Sequence, residues 1–545
     1  MAFAATATFV LPSPAARASG KEHRRLSTPA LIEAARRGGE IKRAKADLFL
    51  ARALGPGWRL VPERFRSDVP WDGTLPLLRL RKRVANMAPG PARSAIVDEL
   101  SSEAAGNCSG TSAGPNTHVS TYFSIDYGTV GGGLNINSYA MSLDAARTQE
   151  VNAFGWAAPP LFPTAPSGRY HVVVANLAPG LYGFVSPTGT NAGLFGNNPN
   201  TSWNDVDAYA SCMALNDDYS GFPSPPQASL DATTAHEFNH SIQFGYGALT
   251  GANVPDAAFI EGGATWMEDE VFDGANDSYN YLWPNFADDM GSYSLSPYPY
   301  WITFRGLTER FGTGAAGAGE QVMQDFWELT SQSGTSNMLS ALNQALVNKG
   351  TTLADAYHAY AIAAKFNRTC GGGYVYPYCF EEAAGYVAKK GPTPIHQSIA
   401  TVGGSVFGSL PNHYSLNWVA LPNSGFYGVT LRNRSGGGQL RGSVVCDTGS
   451  ALTVSSLPTI VGPNAVTRLA DYDPAGCMEV ALIITNEEQT SPNPSMSFAS
   501  EYEVDTAATH LRTVSLRLRR HLIARGLVTT VDGFGACASG ESVRI

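Results

Sequence analysis

The stretch Asp231-Ala232-Thr233-Thr234-Ala235-His236-Glu237-Phe238-Asn239-His240-Ser241-Ile242-Gln243-Phe244-Gly245-Tyr246-Gly247 holds the chain's one H-E-x-x-H. On a helix, His236 and His240 sit four residues apart on one face. Two imidazole nitrogens there can share a zinc ion while Glu237 stands beside them as base. Asp231 is placed to cap the start, Gly245 and Gly247 to close the end, and Phe238 and Ile242 fall roughly opposite the histidines. One face then packs while the other faces a site. The alternative is a pair of ordinary histidines on a packed helix.

Downstream lies Phe259-Ile260-Glu261-Gly262-Gly263-Ala264-Thr265-Trp266-Met267-Glu268-Asp269-Glu270, with apolar residues at helical spacing and Pro255-Asp256 as a start signal. Paired glycines in a helix cost about 1 kcal/mol each relative to alanine, and close approach of another backbone gives a reason for them. A second helix packed tightly on the first lets Glu261 complete a His-His-Glu zinc site, leaving the fourth position for water. Glu268, seven residues on and on the same face, is a supporting group or a competing ligand.

With these residues the chain resembles the gluzincin metallopeptidases, the thermolysin-like and aminopeptidase-N-like enzymes in which a ligand glutamate follows H-E-x-x-H about a helix later. The H-E-F-N-H-S-I-Q and E-G-G-A-T-W-M-E-D-E runs are similar to those of a group of largely uncharacterised bacterial metalloproteases. The resemblance covers residues 205–310. It implies His236, His240 and Glu261 as zinc ligands, one zinc per chain, and Glu237 as catalytic base. It also implies a tyrosine that assists at the oxyanion, for which Tyr300 in Y-P-Y-W-I-T-F-R-G-L is the candidate and Tyr298 or Tyr293 the alternatives. The long metzincin motif is excluded, because Gln243 and Tyr246 stand where its glycine and third histidine belong.

With 545 residues, 43% of them apolar and 15% charged, the chain has the composition of a globular protein of several domains. No run of 18 apolar residues is present, so no transmembrane segment is expected. Charge is uneven: residues 1–100 carry 18 Lys+Arg against 9 Asp+Glu, residues 101–505 carry 13 against 35, and residues 506–545 carry 6 against 2. An acidic body argues against nucleic-acid binding. The basic first hundred residues suit an inhibitory pro-segment lying on that body, or simply solvated basic helices. Residues 1–20 have the short apolar stretch and A-R-A site of a signal peptide but not its basic start. Of seven cysteines, Cys370 with Cys379 and Cys446 with Cys477 are placed to form bridges, while Cys108, Cys212 and Cys537 are unassigned.

The expected fold is α+β: a zincin-like catalytic domain with a helical lobe, then a C-terminal β-sandwich. The divisions are a leader over 1–100, the catalytic domain over 101–395, the sandwich over 396–505 and a basic tail over 506–545. Residues 28–54 read as one or two helices broken at Gly38-Gly39, and residues 79–84 as a short basic strand. Apolar runs at 121–127, 170–175 and 208–215 read as strands, 138–155 and much of 315–395 as helices, with His358 a packed helix histidine. Short alternating runs from 403 to 505 make the sandwich.

The function this implies is zinc-dependent hydrolysis of peptide bonds in a protein or peptide substrate, by an endopeptidase secreted from, or held in the envelope of, a bacterium. A zinc aminopeptidase or other metal-dependent hydrolase, and a non-catalytic surface-binding protein on a zincin scaffold, are the alternatives. Glu268, Asp269 and Glu270 bear on the first of these, since an acidic cluster captures a substrate amine.

Overall fold

The structure is a computed structural model and describes residues 26–101, 114–161, 166–187, 195–205, 207–247, 257–282, 297–312, 319–333, 338–394, 397–410, 414–487, 499–509, 512–519 and 523–530. The signal-like stretch, most of the linker after residue 101, Cys108, Cys537 and Tyr293 lie outside them. It is an α+β fold with a C-terminal β-rich region.

Four helices come first: α1 Thr28–Arg37, α2 Arg43–Leu54, α3 Thr74–Ala85 and α4 Pro91–Ser101. Strands β1 Asn116–Val119 and β2 Phe123–Tyr127 follow, then α5 Ile136–Arg147, β3 Tyr170–Ala175, β4 Gly183–Pro187, the small pair β5 Phe195–Gly196 and β6 Ala208–Tyr209, and β7 Ser211–Asn216. The five-stranded sheet has the order β1-β2-β3-β7-β4, with β2, β3 and β7 parallel and β4 antiparallel at one edge.

Its strands are apolar on both faces, as a sheet covered twice must be. Val172, Val174, Met213 and Leu215 face the core shared with α5 and with α6 Pro226–Gly245. Val173, Ala175, Phe184, Cys212 and Ala214 face a second core built with Ile32, Phe49, Leu54, Leu77, Leu80 and Val84. Residues 26–101 therefore form a layer of the same α/β/α stack, where a separable leader was expected. Within this layer Arg36, Arg52, Arg64 and Arg83 pair with Glu33, Glu99, Glu40 and Asp47 of the same segment. Its junction with the sheet is an apolar core edged by hydrogen bonds, among them Arg81 Nη1 to Pro187 O at 2.7 Å and Arg81 Nη2 to Ser186 Oγ at 3.0 Å.

One expected strand is a helix. The R-L-R alternation at 79–81 has period two, but Leu77, Leu80 and Val84 serve one core while Leu75 and Leu78 serve the other. A helix that is apolar on two sides gives this pattern when it is wedged between two cores.

The histidine helix starts five residues before Asp231, at Pro226, because proline is well suited to a first helical turn. Asp231 lies inside the helix, where its carboxylate accepts from Ser142 Oγ at 2.7 Å and ties α6 to α5. Gly247, at φ +80°, ends it. Phe238 packs edge-on to Phe123 of β2 at 5.7 Å, opposite the histidines.

After α6 come a wide π-turn Ala258–Gly262, α7 Gly263–Val271, a 3-10 turn Tyr298–Tyr300, α8 Trp301–Thr308, α9 Gln321–Ser333, α10 Met338–Asn348, α11 Leu353–Phe366 and α12 Ala383–Lys390. The β-rich region holds β8 Gln397–Ser398, β9 Ser405–Leu410, β10 Ser415–Ala420, β11 Tyr427–Ser435, β12 Gln439–Asp447, β13 Leu452–Ser456, β14 Ile460–Val461, β15 Val466–Tyr472, β16 Glu479–Asn486 and β17 Ser500–Ala508. One sheet runs β13-β12-β16-β10-β8, with β14 beside β12, and the other β15-β11-β17-β9. Leu431, Leu440, Leu482 and Val504 fill one core between them, as in a sandwich.

Trp418, Val445 and Ile483 face the other way, into the helical lobe. There His358 of α11 is buried, with hydrogen bonds to Thr485 Oγ1 at 2.8 Å and Ser443 Oγ at 2.9 Å. Bridges join Cys370–Cys379 and Cys446–Cys477, and Cys212 is disulfide-bonded as well. The basic tail forms an antiparallel hairpin of β18 Arg512–Arg519 and β19 Ile523–Thr530. Among the described residues no helix is long and apolar enough to cross a membrane.

Candidate metal centre

His236 and His240 project from α6 onto Glu261, which the π-turn before α7 carries across from the facing helix. Such a turn adds a residue to the helical path and is frequent at functional sites. Glu261 Oε2 lies 3.3 Å from His236 Nε2 and 3.4 Å from His240 Nε2. A tetrahedron with metal–ligand bonds of about 2.0–2.1 Å has edges of about 3.3–3.4 Å, so both distances from Glu261 Oε2 match those between two ligands of one metal ion.

A fourth carboxylate joins them. Asp72 Oδ1 is 3.9 Å from His240 Nε2, and one ligand atom from each of Asp72, His236, His240 and Glu261 lies within 4.8 Å of every other. All four side chains are buried. His240 Nε2, Asp72 Oδ2 and Glu237 Oε1 are buried without a hydrogen-bond partner. A cluster of two imidazoles and two carboxylates, with one imidazole nitrogen and carboxylate oxygens left orphaned in it, fits a divalent cation.

Each histidine is held through its other nitrogen. His236 Nδ1 donates to Glu268 Oε1 at 2.7 Å, which leaves Nε2 for a metal. His240 Nδ1 donates to Gln243 Oε1 at 2.9 Å. Gln243 Nε2 donates to Asn239 Oδ1, and Asn239 Nδ2 to Glu150 Oε2, so the chain of contacts ends on a carboxyl that burial raises well above the usual range. Glu261 Oε1 accepts the Leu75 amide at 3.2 Å, from the first turn of α3.

The electrostatics match a cation site. Burial opposes charge on Glu261, yet the two imidazoles outweigh it and hold this carboxyl at about 2. Burial likewise acts against protonated His236, but the Glu261 and Glu268 hydrogen bonds raise it to about 10. Burial, reinforced by the Asp72 charge, lifts Glu237 well above the carboxylate range, and burial takes Glu268 to about 7.

No protein-family model matches the chain, and no curated protein does. Among solved structures, the pre-peptidase C-terminal domain of a collagenase from Bacillus anthracis is similar over 21% of this chain and 96% of that domain. The identity is 11% and the TM-score 0.15, a likeness too slight to bear on fold or function.

Of the residues singled out in sequence, the structure brings His236, Glu237, His240, Glu261 and Glu268 together. It does not bring Tyr300 into the cavity beside them. Tyr300 packs against Gly262, where a Cβ would sit 2.8 Å from its own, while Tyr298 lines the cavity and its hydroxyl accepts the Asp72 amide at 3.0 Å. A 3-10 turn advances about 120° per residue, so positions 298 and 300 point to different sides.

Asp72, Thr74, Asn239, Gln243 and Glu150 were missed. Asn239 and Gln243 carried a signal, being polar residues on the histidine helix, Asn239 three positions after His236 and Gln243 three after His240. Asp72 and Thr74 carried only the turn-like W-D-G-T before a leucine run. The cavity among Asp72, His236, Glu237, Glu268, Tyr281 and Tyr298 holds about 20 Å³, room for roughly one water.

Proposed function

We propose that the protein is a zinc-dependent peptidase that acts on polypeptides outside the cytoplasm. The observation that carries this reading is that Glu261 Oε2 lies at tetrahedral-edge distance from both His236 Nε2 and His240 Nε2, with Glu237 beside His236 on the same helix and its Oε1 close to Gly183 of β4.

When bound, zinc in this nest supplies Lewis-acid polarisation of a carbonyl and a lowered pKa for water. The chain's own residues do the rest. Glu237 takes the proton from the attacking water and passes it to the leaving amine. Burial favours its protonated form, a neighbouring cation works in the opposite direction, and the two together bring it towards the range a general base needs. In the arrangement seen here Thr74 Oγ1 donates to Glu237 Oε2 at 3.1 Å. Tyr298 replaces Tyr300 as the hydroxyl that donates to the developing oxyanion.

The acidic run after Glu261 does not read as an amine-binding cluster. Glu268 holds His236, while Asp269 and Glu270 lie 3.6 and 2.6 Å from Arg305 Nη1. This supports an endopeptidase. The disulfides support an oxidising compartment.

Asp72 favours a second reading, a metal centre closed by four protein ligands with a structural role. Incubation of the full chain and its Asp72→Asn variant with casein tests both. Hydrolysis by either protein that a chelator abolishes and zinc restores supports the peptidase. Bound metal with no hydrolysis by either, nor by Gly73→Val, whose added side chain would press on Phe184 and Leu54 and displace Asp72, supports the structural centre.

A further inference from the structure

Residues 71–74 engage the groups that the proposed chemistry needs. The Asp72 carboxylate stands fourth in the ligand cluster, and its amide donates to the Tyr298 hydroxyl. Thr74 Oγ1 donates to Glu237 Oε2, and the next amide, Leu75, to Glu261 Oε1.

The same residues lie along the outer edge of the five-stranded sheet. Trp71 N donates to Gly180 O at 2.8 Å, Tyr182 N to Trp71 O at 3.1 Å and Gly73 N to Gly183 O at 3.0 Å. Trp71 and Leu181 form a parallel bridge, and Val185 N of β4 donates to Thr74 Oγ1 at 2.8 Å. Glycines permit this close seating. A Cβ on Gly73 would lie 2.9 Å from Phe184 Cβ and 3.0 Å from Leu54 Cδ2, and one on Gly180 would lie 2.5 Å from Val69 O.

An edge strand presents a row of amides and carbonyls, and what that chemistry recognises is another extended backbone. Here such a backbone would be laid beside Glu237 and the ligand cluster. The one-water cavity leaves no space for a substrate while residues 71–74 are seated.

Resting on the metallopeptidase reading, in which the β4 edge around residues 180–185 is the groove for an extended polypeptide, we propose that this groove is already occupied by the chain itself. Residues 71–74 fill that groove in cis, with Asp72 in the position water needs, so that the closed chain is latent. Opening is local. Helices α1–α4 keep the sheet's second face covered, and α3 stays anchored in both cores through Leu75, Leu77, Leu78 and Leu80. The strap leaves from its N-terminal side, around Pro70.

The test uses the full chain loaded with cobalt, whose visible absorption reports its ligands independently of catalysis, and acetohydroxamate as a small chelating probe. Wild type is compared with Asp72→Asn, which keeps the side-chain shape, and Gly73→Val, which unseats the strap while retaining the Asp72 carboxylate. If about 99% of molecules are closed, freeing the site tightens apparent probe affinity about 100-fold. The expected result is one cobalt in every protein, probe binding tightened on that scale in both variants, and casein hydrolysis gained by Gly73→Val.

Cobalt in every protein with equal probe affinity overturns latency and leaves the metal centre standing. Loss of cobalt from Asp72→Asn, with Gly73→Val unchanged in probe affinity, makes Asp72 a permanent ligand and also overturns it. Absence of cobalt from all three removes the metal reading itself.

Discussion

Glu268 Oε1 accepts from His236 Nδ1 at 2.7 Å, so a carboxylate 32 residues away in sequence decides which imidazole nitrogen faces the ligand cluster. A partner of this kind, which fixes ring and tautomer, changes metal affinity by about 10–100-fold. Glu268→Ala is expected to weaken zinc binding within that range and Glu268→Gln, which keeps an acceptor oxygen, by less. Competition with a chromogenic chelator measures it. Unchanged affinity in Glu268→Ala would show that the ring is held by other contacts.

Glu237 belongs to no ligand pair, and its Oε2 is taken by Thr74. Glu237→Gln is therefore expected to keep its zinc while peptidase activity falls by about 10²–10⁴-fold, the usual contribution of a positioned base. Metal analysis and a fluorescent casein assay on the same preparation separate the two effects. Loss of metal together with activity would place Glu237 among the ligands.

The paired glycines respond differently to substitution. At Gly262 a Cβ would lie 2.8 Å from Tyr300 Cβ and 3.1 Å from Phe304 Cε2, whereas at Gly263 the nearest atom is Gln243 Nε2 at 3.6 Å. Gly262→Ala should destabilise by about 1–3 kcal/mol through overpacking. Gly263→Ala should be neutral or stabilise by up to about 1 kcal/mol, since helical glycine is unfavourable. Denaturant unfolding of the two variants reads the difference, and equal effects would contradict the packing described.

His358 makes the junction with the β-rich region sensitive to acid. Burial, reinforced by Arg441, lowers its pKa to about 3 from an ordinary 6.5, so between these values the unfolded chain binds a proton that the folded chain does not. Its contribution to stability is complete above pH 6.5 and is lost on acidification, by about 1.4 kcal/mol per pH unit at most. Neighbouring Glu487, raised to about 7 mainly by burial, works in the opposite sense, but it is present in both proteins compared. His358→Gln should lose less melting temperature than wild type between pH 7 and pH 4. An equal loss in both would mean that His358 does not set this acid response.

Much of the centre was readable because its logic is local. His236, Glu237 and His240 lie within two helical turns, and Glu261 and Glu268 follow on the next helix at spacings a helix explains. The strands at 170–175 and 208–215 show as apolar runs, and the paired cysteines by their placement. Asp72 and Thr74 were illegible for the opposite reason. Thr74 meets Glu237 across 163 residues, and no periodicity connects them. Leucines serving two cores hid the helix that begins at Thr74. Tyr298 and Tyr300 differ only in direction around one turn, which depends on what packs outside it.

The second core joins Leu54 and Leu77 to Val173 and Ala214. On the ribosome the helices that carry the first pair emerge well before the strands that carry the second. At roughly 5–20 residues per second, the apolar faces of α2 and α3 wait on the order of ten seconds for the surface they will cover. Biogenesis of this protein therefore includes an interval in which α1–α4 have only one another to pack on, before the sheet they finally cover exists.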